Sequence, residues 1–531
     1  MLGNILRVIT NVGTILQVVP DGSGGVEYYD MNGAKYDISD CDSLQVYCDN
    51  SVIYYHVEHG SDELYARPDY KVVVWSGDIE PFYAKTGDIW INGGVVTEID
   101  HEDLVWTFDT TKAGSATDRI VLPMQNGQTY NFDVIYNGNV IKHINDYTDN
   151  EIIFSDGAGI KQITLRGTYG KIAFNYTGDK LKLKSIERWG KFILADNCFY
   201  GCENLTLTTV KGKPILTNIL QGNFWFCKTI TQIKNLNEWD TSGITLIQQT
   251  FIDCPLFNQD LDKWDVSNVT NILSPFNRCY AFNGNVTTWD VSNVIYANTM
   301  FSSCSAFNQD ISNWNLSKNR HYNNFFASCV SFNQDVSQWD MSNAEWLTSM
   351  FNNMNLNPDV SNWNITNSVT TVNNMFKNNT GFNRDITTWD TSGVSIFSGC
   401  FANATGFTGM VEMDAGFATN LGEFVLNTKI HTLILKNIRS GVAVVNAFNV
   451  QLGYLNKVIL EDINVSFDIK SFDLATVEAL IELCNGDGMY RGIKDLTGVA
   501  TKTVTLPNTA NAHDATVTAA FTAKNWTIAY A

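Results

Sequence analysis

The sequence predicts a mainly β, multidomain chain with short helices, organised around a solenoid of 25-residue coils. Three observations predict it. Aromatic residues recur at a fixed interval, which is the mark of a stacked repeat. The composition, 44% hydrophobic, 12% aromatic and only 17% charged, fits a packed β-rich protein better than a disordered chain or a charge-stabilised helical bundle. Finally, 531 residues exceed what one hydrophobic core organises, so several domains are expected.

The repeat carries most of the information. Trp239, Trp264, Trp289, Trp314, Trp339, Trp363 and Trp389 follow one another at intervals of 25, 25, 25, 25, 24 and 26 residues. Phe251, Phe276, Phe301, Phe326, Phe351, Phe376 and Phe401 keep an unbroken interval of 25, with Phe257, Phe282, Phe307, Phe332, Phe382 and Phe407 six residues behind them. Leu356 takes that second place in the one coil that is a residue short, and Phe199 and Phe224 extend the series backwards. A single coil cannot bury a Trp and two Phe, so neighbouring coils must stack and like residues must form ladders. These Trp and Phe residues are therefore assigned as structural ladder positions, with no catalytic, cofactor-binding or metal-binding residues.

Within one coil, Trp264-Asp265-Val266-Ser267-Asn268 alternates as a short strand with Trp and Val inward, and Asp265 is placed to accept backbone N–H groups at the turn beyond. Val269, Leu273 and Phe276 are spaced as one side of a short helix. The expected coil is strand, turn, short helix, loop. Cys202, Cys227, Cys254, Cys279, Cys304 and Cys329 each stand three places after a ladder Phe, and Met354, Asn379 and Ala404 take that place later. A position so tolerant reads as a buried core thiol rather than a disulfide or metal ligand. Asn258, Asn283, Asn308, Asn333, Asn357 and Asn383 form another row, expected to be buried and to bond the backbone of adjacent loops. The acidic place after each Trp is Asp in five coils but Asn315 and Asn364 in two, which suits turn capping better than a row of calcium ions.

Segments 257–270 (FNQDLDKWDVSNVT), 307–317 (FNQDISNWNLS) and 332–343 (FNQDVSQWDMSN) resemble the repeat of the BspA-like leucine-rich-repeat surface proteins. The resemblance covers roughly residues 190–410. It implies a leucine-rich-repeat-like solenoid, and a role in adhesion and recognition as found on bacterial cell surfaces and in bacteriophage-encoded proteins. It supplies no catalytic motif.

Domain boundaries follow from where the repeat stops. Residues 104–180 read as alternating strands broken by Gly and Asn turns, a small β-sandwich. That segment is similar to the PKD-like module that precedes such repeats, with Tyr136-Asn137-Gly138-Asn139 where the usual Asp-Gly-Asp turn would stand. The stretch 180–190 is the junction to the solenoid, placed at 181–408. Residues 409–531 read as terminal repeats and an α/β cap covering the open end, with strands at 429–437, 455–462, 502–506 and 526–530 and helices at 474–484, N-capped by Asp473, and 513–524. Residues 1–103 are short strands with Gly and Asp turns, including 72–75 and 86–93, expected to form a β-rich anchoring domain.

Charge and missing motifs narrow the function. The net charge is −20, and residues 1–103 hold 5 Lys and Arg against 18 Asp and Glu. Such acidity disfavours nucleic acid, which needs a basic face to displace counterions. No stretch approaches the ~20 apolar residues of a membrane span, and the N-terminus makes a poor signal peptide. His56, Glu58 and His59 are the nearest thing to a metal or acid–base cluster, but alternation over Ser51–Val57 puts them on a strand end, facing opposite ways. No P-loop, Rossmann or nucleophile-elbow motif occurs. The expectation is a non-enzyme without cofactors: a bacteriophage virion protein, in a tail fibre or capsid-surface fibre, with the alternative of a bacterial cell-surface adhesin. Its partners would be other virion proteins through the N-terminal domain and a host-surface glycan or protein, with a homotrimer as the usual arrangement of fibres. A polysaccharide depolymerase is the third reading.

Overall fold

The computed structural model describes residues 103–531 except 440, 452–453, 470–476, 490, 498–499, 507, 509–510 and 531, together with strand backbones between residues 5 and 99. The chain divides into two compact units, residues 1–103 with 135–140, and residues 104–134 with 141–531. It is mostly β, with two short α-helices among the described residues.

In the first unit the strands Ile5–Thr10, Ile15–Pro20, Val26–Asp30, Ser43–Cys48, Ser51–Val57 and Leu64–Tyr65 form a six-stranded sheet, and Val74–Ser76, Asp88–Asn92 and Val95–Ile99 form a three-stranded one. Ser51–Val57 is thus a strand, as its alternation predicts. The side chains of His56, Glu58 and His59 lie outside the described residues.

Leu104–Asp109 belongs to a five-stranded sheet whose central strand is Ile160–Tyr169. It pairs antiparallel with Ile160–Tyr169 on one side and Leu183–Arg188 on the other. Tyr130–Tyr136 and Asn139–Ile144 complete the sheet, and Arg119–Val121 pairs with Glu151–Ile153. The Asn137-Gly138 pair turns the chain with φ of 48° and 78°, the left-handed conformation a two-residue hairpin turn needs. A fully buried ion pair ties the loop at 114–121 to the segment 179–182. The Asp179 carboxylate accepts from the Ser115 N–H (2.6 Å) and hydroxyl (2.7 Å) and the Val121 N–H (2.7 Å). The Lys182 ammonium stands 3.6 Å away and donates to the carbonyls of Ser115, Ala116 and Arg119.

Leu183–Arg188 has two roles. Its residues also make parallel bridges to the first coil, Ser185 to Thr206 and Arg188 to Lys211. The core is continuous across this point, because Trp106 of the sheet packs on Phe192 (5.7 Å) and Phe199 (6.1 Å) of the coil. The expected junction therefore is a strand common to sheet and solenoid.

From residue 193 the chain winds through about 13 coils to residue 530. The coil differs from the one expected. Trp264 and Val266 are buried, but Trp264–Asn268 is a corner of turns; the strand is Asn271–Leu273, parallel to Leu246–Gln248. No helix follows: the segment 274–278 is a run of turns, and Leu273 is half-exposed while Ile272 is buried. Two residues per coil sit at positive φ, at Gln249, Ser274, Thr299, Asn324 and Ser349, and again four residues on at Asp253, Arg278, Ser303, Ser328 and Asn353. This conformation is uncommon for residues other than Gly. Here it lets alternate peptides face the next coil: the N–H groups of Thr299, Phe301 and Ser303 donate to the carbonyls of Asn323, Phe325 and Ala327. Peptides in between close turns inside the coil, as Cys304 N–H does on Phe301 O. Backbone polar groups are thereby paired without a helix.

The last coils change style. Met410–Asp414, Thr432–Lys436 and Lys457–Leu460 stack in parallel, and so do Phe467–Asp468, Lys502–Leu506 and Trp526–Tyr530. Helices Val477–Asn485 and Ala515–Ala523 accompany them; Asp514 caps the second by accepting from Thr516 N–H. Asp473, expected as a cap for the first, lies outside the described residues.

Candidate recognition surface

The ladder aromatics lie inside. Trp239, Trp264, Trp289, Trp314, Trp339, Trp363 and Trp389 are each at most 5% exposed, and Phe251, Phe276, Phe301, Phe326, Phe351, Phe376 and Phe401 at most 1%. Phe276 stacks on Phe301 at 5.9 Å and Phe301 on Phe326 at 6.0 Å, with Phe307 inserted 3.9 Å from Phe301. Each buried indole N–H from Trp264 onward donates to a carbonyl of the preceding coil: Trp289 to Leu261 (2.8 Å), Trp363 to Val336 (2.8 Å). Trp239, first in the row, has no such acceptor and its N–H is unpaired.

The polar rows serve the scaffold too. Cys254, Cys279 and Cys304 donate their thiols to Phe224, Phe251 and Phe276 carbonyls at 2.8–3.0 Å, and burial pushes all three far above the ordinary thiol value. They are buried, hydrogen-bonded core groups. The carboxylates after Trp accept from the N–H two residues on, Asp265 from Ser267 (3.0 Å) and Asp340 from Ser342 (3.0 Å), and Asn315 does the same for Ser317 (3.1 Å). Asn364 departs from this capping: its side-chain oxygen accepts from Met341 N–H (2.7 Å) and its amide N–H donates to Asp340 (2.7 Å), both in the preceding coil. Among the described residues no group of three or more His, Cys, Asp or Glu is placed to hold a metal ion. The Asn row is corrected in one respect: Asn258, Asn308, Asn333 and Asn383 are exposed, not buried. The bonding is as expected, since the side-chain oxygen Oδ1 of Asn258 accepts from Asn283 N–H (2.8 Å) and that of Asn283 from Asn308 N–H (2.8 Å). An Asn amide at the coil surface reaches the next backbone without entering the core.

Other side chains line the surface of the coils where parallel bridges join them. One column there reads Asn271, Tyr296, His321, Trp346, Thr371, Ile396, each joined to the next by a parallel bridge. Tyr296 and His321 rings lie 4.7 Å apart, and the His321 imidazole stacks on the Trp346 indole at 3.8 Å and 12°. Trp346 is 41% exposed. Glu345 stands beside this stack, bound to the Arg320 guanidinium and 3.7 Å from His321 Nε2; burial nevertheless holds the imidazole below its ordinary pKa, favouring the neutral ring. A second group occurs near the first coils, where Tyr176, 44% exposed, lies 4.8 Å from Tyr200, which stacks on Trp225 at 4.3 Å; the Lys180 ammonium sits 4.4 Å over Tyr176.

Sequence reasoning did not single out these residues. The signal was present: Tyr296, His321 and Trp346 are 25 residues apart, and Trp346 is out of step with the Trp ladder. No curated protein and no solved structure matches the chain. Residues 219–337 and 321–419, less than half of the chain but including the whole aromatic column from Tyr296 to Ile396, are similar to the family described as "Mycoplasma protein of unknown function, DUF285", a match compatible with a BspA-like repeat protein.

Proposed function

We propose that this chain is a non-enzymatic surface-recognition protein that presents the outer flank of its solenoid to a host-surface glycan or protein. The observation that supports the reading is the column Tyr296–His321–Trp346, a stack of rings at the coil surface, half-buried at Tyr296 and His321 and exposed at Trp346, on a scaffold whose polar rows are already committed to its own backbone. Exposed aromatics on rigid elements contribute contact area at low entropic cost. In our reading the protein is a bacteriophage virion component, a tail fibre or capsid-surface fibre. Residues 1–103 anchor it to other virion proteins, a PKD-like module at 104–180 acts as spacer, and a homotrimer is the working assembly. A bacterial cell-surface adhesin is the competing reading, consistent with the similarity to the Mycoplasma family. Polysaccharide depolymerase activity is the less favoured alternative, tested by glycan release.

Cryo-electron microscopy of the native source separates the first two. Density for the chain on a capsid or tail is the expected outcome and reveals its symmetry; finding it only on cell envelopes overturns the virion reading in favour of an adhesin.

A further inference from the structure

The column that ends its ring stack at the exposed Trp346 contains a gap. Because Trp346 stacks on His321 at 3.8 Å and 12°, its ring plane lies across the direction in which coils stack, and its second face is turned toward the following coil. There the column drops to Thr371, a short side chain, and rises again at Ile396, which is 37% exposed. Strands stack at about 4.8 Å, so Trp346 and Ile396 stand roughly 9.6 Å apart. Two van der Waals contacts of about 4 Å each leave space for a single flat ring between them.

The groups around the gap are polar and close to neutral. Unlike the ladder tryptophans from Trp264 to Trp389, Trp346 has an indole N–H with no hydrogen-bond partner among the described residues. On the floor, Thr371 Oγ1 is 3.4 Å from Thr348 Oγ1 and accepts from Asn373 N–H at 3.3 Å. Thr370 and Ser395 add hydroxyls at one side, each donating to a carbonyl of the preceding coil. The nearby charges, Arg320 and Glu345, are paired with each other. An apolar wall on each face and hydroxyls on the edge suit a ring with a C–H face and a hydroxylated rim.

We propose that the gap over Thr371, between Trp346 and Ile396, is a subsite for one pyranose ring of a neutral polysaccharide, with the sugar's C–H face on the indole and its rim hydroxyls beside the hydroxyls of Thr370, Thr371 and Ser395. The inference rests on the surface-recognition reading and names its ligand class. Saturation-transfer NMR of the full chain with methyl glycosides of glucose, galactose and N-acetylglucosamine tests it, alongside binding of the labelled chain to cells from the native source. Trp346→Ala removes the wall and Thr371→Trp fills the gap; both side chains face outward, and thermal unfolding checks that each variant is folded.

The expected result is saturation of the C–H face of at least one glycoside, weakened roughly tenfold or more by either variant, the size of loss seen on truncating an interface aromatic. Saturation unchanged in both folded variants, or none with any glycoside, overturns the subsite. Wild-type chain that binds cells as well as both variants do overturns the subsite and leaves surface recognition standing. Wild-type chain that binds glycoside but no cells overturns the recognition reading instead.

Discussion

Trp289 shows what one residue contributes to the stack. Its ring is buried between Trp264 at 6.3 Å and Trp314 at 6.1 Å, and its N–H is satisfied only by the preceding coil. Trp289→Ala should lose about 3–5 kcal/mol of stability, read as an earlier transition in urea; a variant as stable as the parent would show that the ladder register is wrong. The cysteines give a second test at this scale. Burial raises Cys202, Cys227, Cys279 and Cys304 well above the ordinary value, so the thiolate is scarce at pH 8. A thiol reagent should label them only after denaturant is added, and rapid labelling of the native chain would contradict their placement. The interior residues were legible because period and residue type agree. Trp346 was not, because a ring on the surface obeys the same period as a ring in the core, and only the fold tells which side of the ribbon it faces.

The coil and the loop clasp belong to the next scale. Asp240, Asp290, Asp310 and Asp359 are each held below the ordinary carboxylate value, chiefly by the hydroxyl of the serine two residues on. A depressed folded value means stability that is present above the unfolded pKa, about 4, and lost as pH falls through the folded values. Melting temperature measured from pH 5 to pH 2 should therefore decline below about pH 4; a flat profile would remove these turns from the stability of the coil. At the clasp, Lys182→Met leaves the Asp179 charge buried without its cation and should cost about 3–5 kcal/mol, whereas Asp179→Asn combined with it should cost less than the two changes added together. A double-mutant cycle in urea measures the difference. The interior of the coil was misread for a physical reason. Ser274, Thr299 and Arg278 have no preference for positive φ that a sequence reader could use, and Val269, Leu273 and Phe276 happen to match a helical spacing. In the last coils, where helix and strand carry ordinary signals, the expected strands and the helix after Asp514 appear in place.

Across the whole molecule, stacking makes the coils interdependent while leaving the outer flank free to vary. The short coil at Leu356–Trp363 illustrates the tolerance: Phe351 still stacks on Phe376 at 5.6 Å, and the bridge from Trp346 to Thr371 continues past it. The same stacking has an electrical consequence. From Gln249 the N–H groups of Ser274, Thr299, Asn324, Ser349 and Asn374 each donate to a carbonyl of the following coil, and that carbonyl shares its peptide with the next donor. A parallel run passes through Asp253, Arg278, Ser303, Ser328, Asn353 and Asn378. Ordinary sheets alternate their peptide directions and nearly cancel. These rows do not alternate, so their dipoles add as they do along an α-helix, and each bond polarises the next. The ribbon is in effect an antenna of aligned amides, with its positive pole at the C-terminal coils, the reverse of the polarity a helix would have.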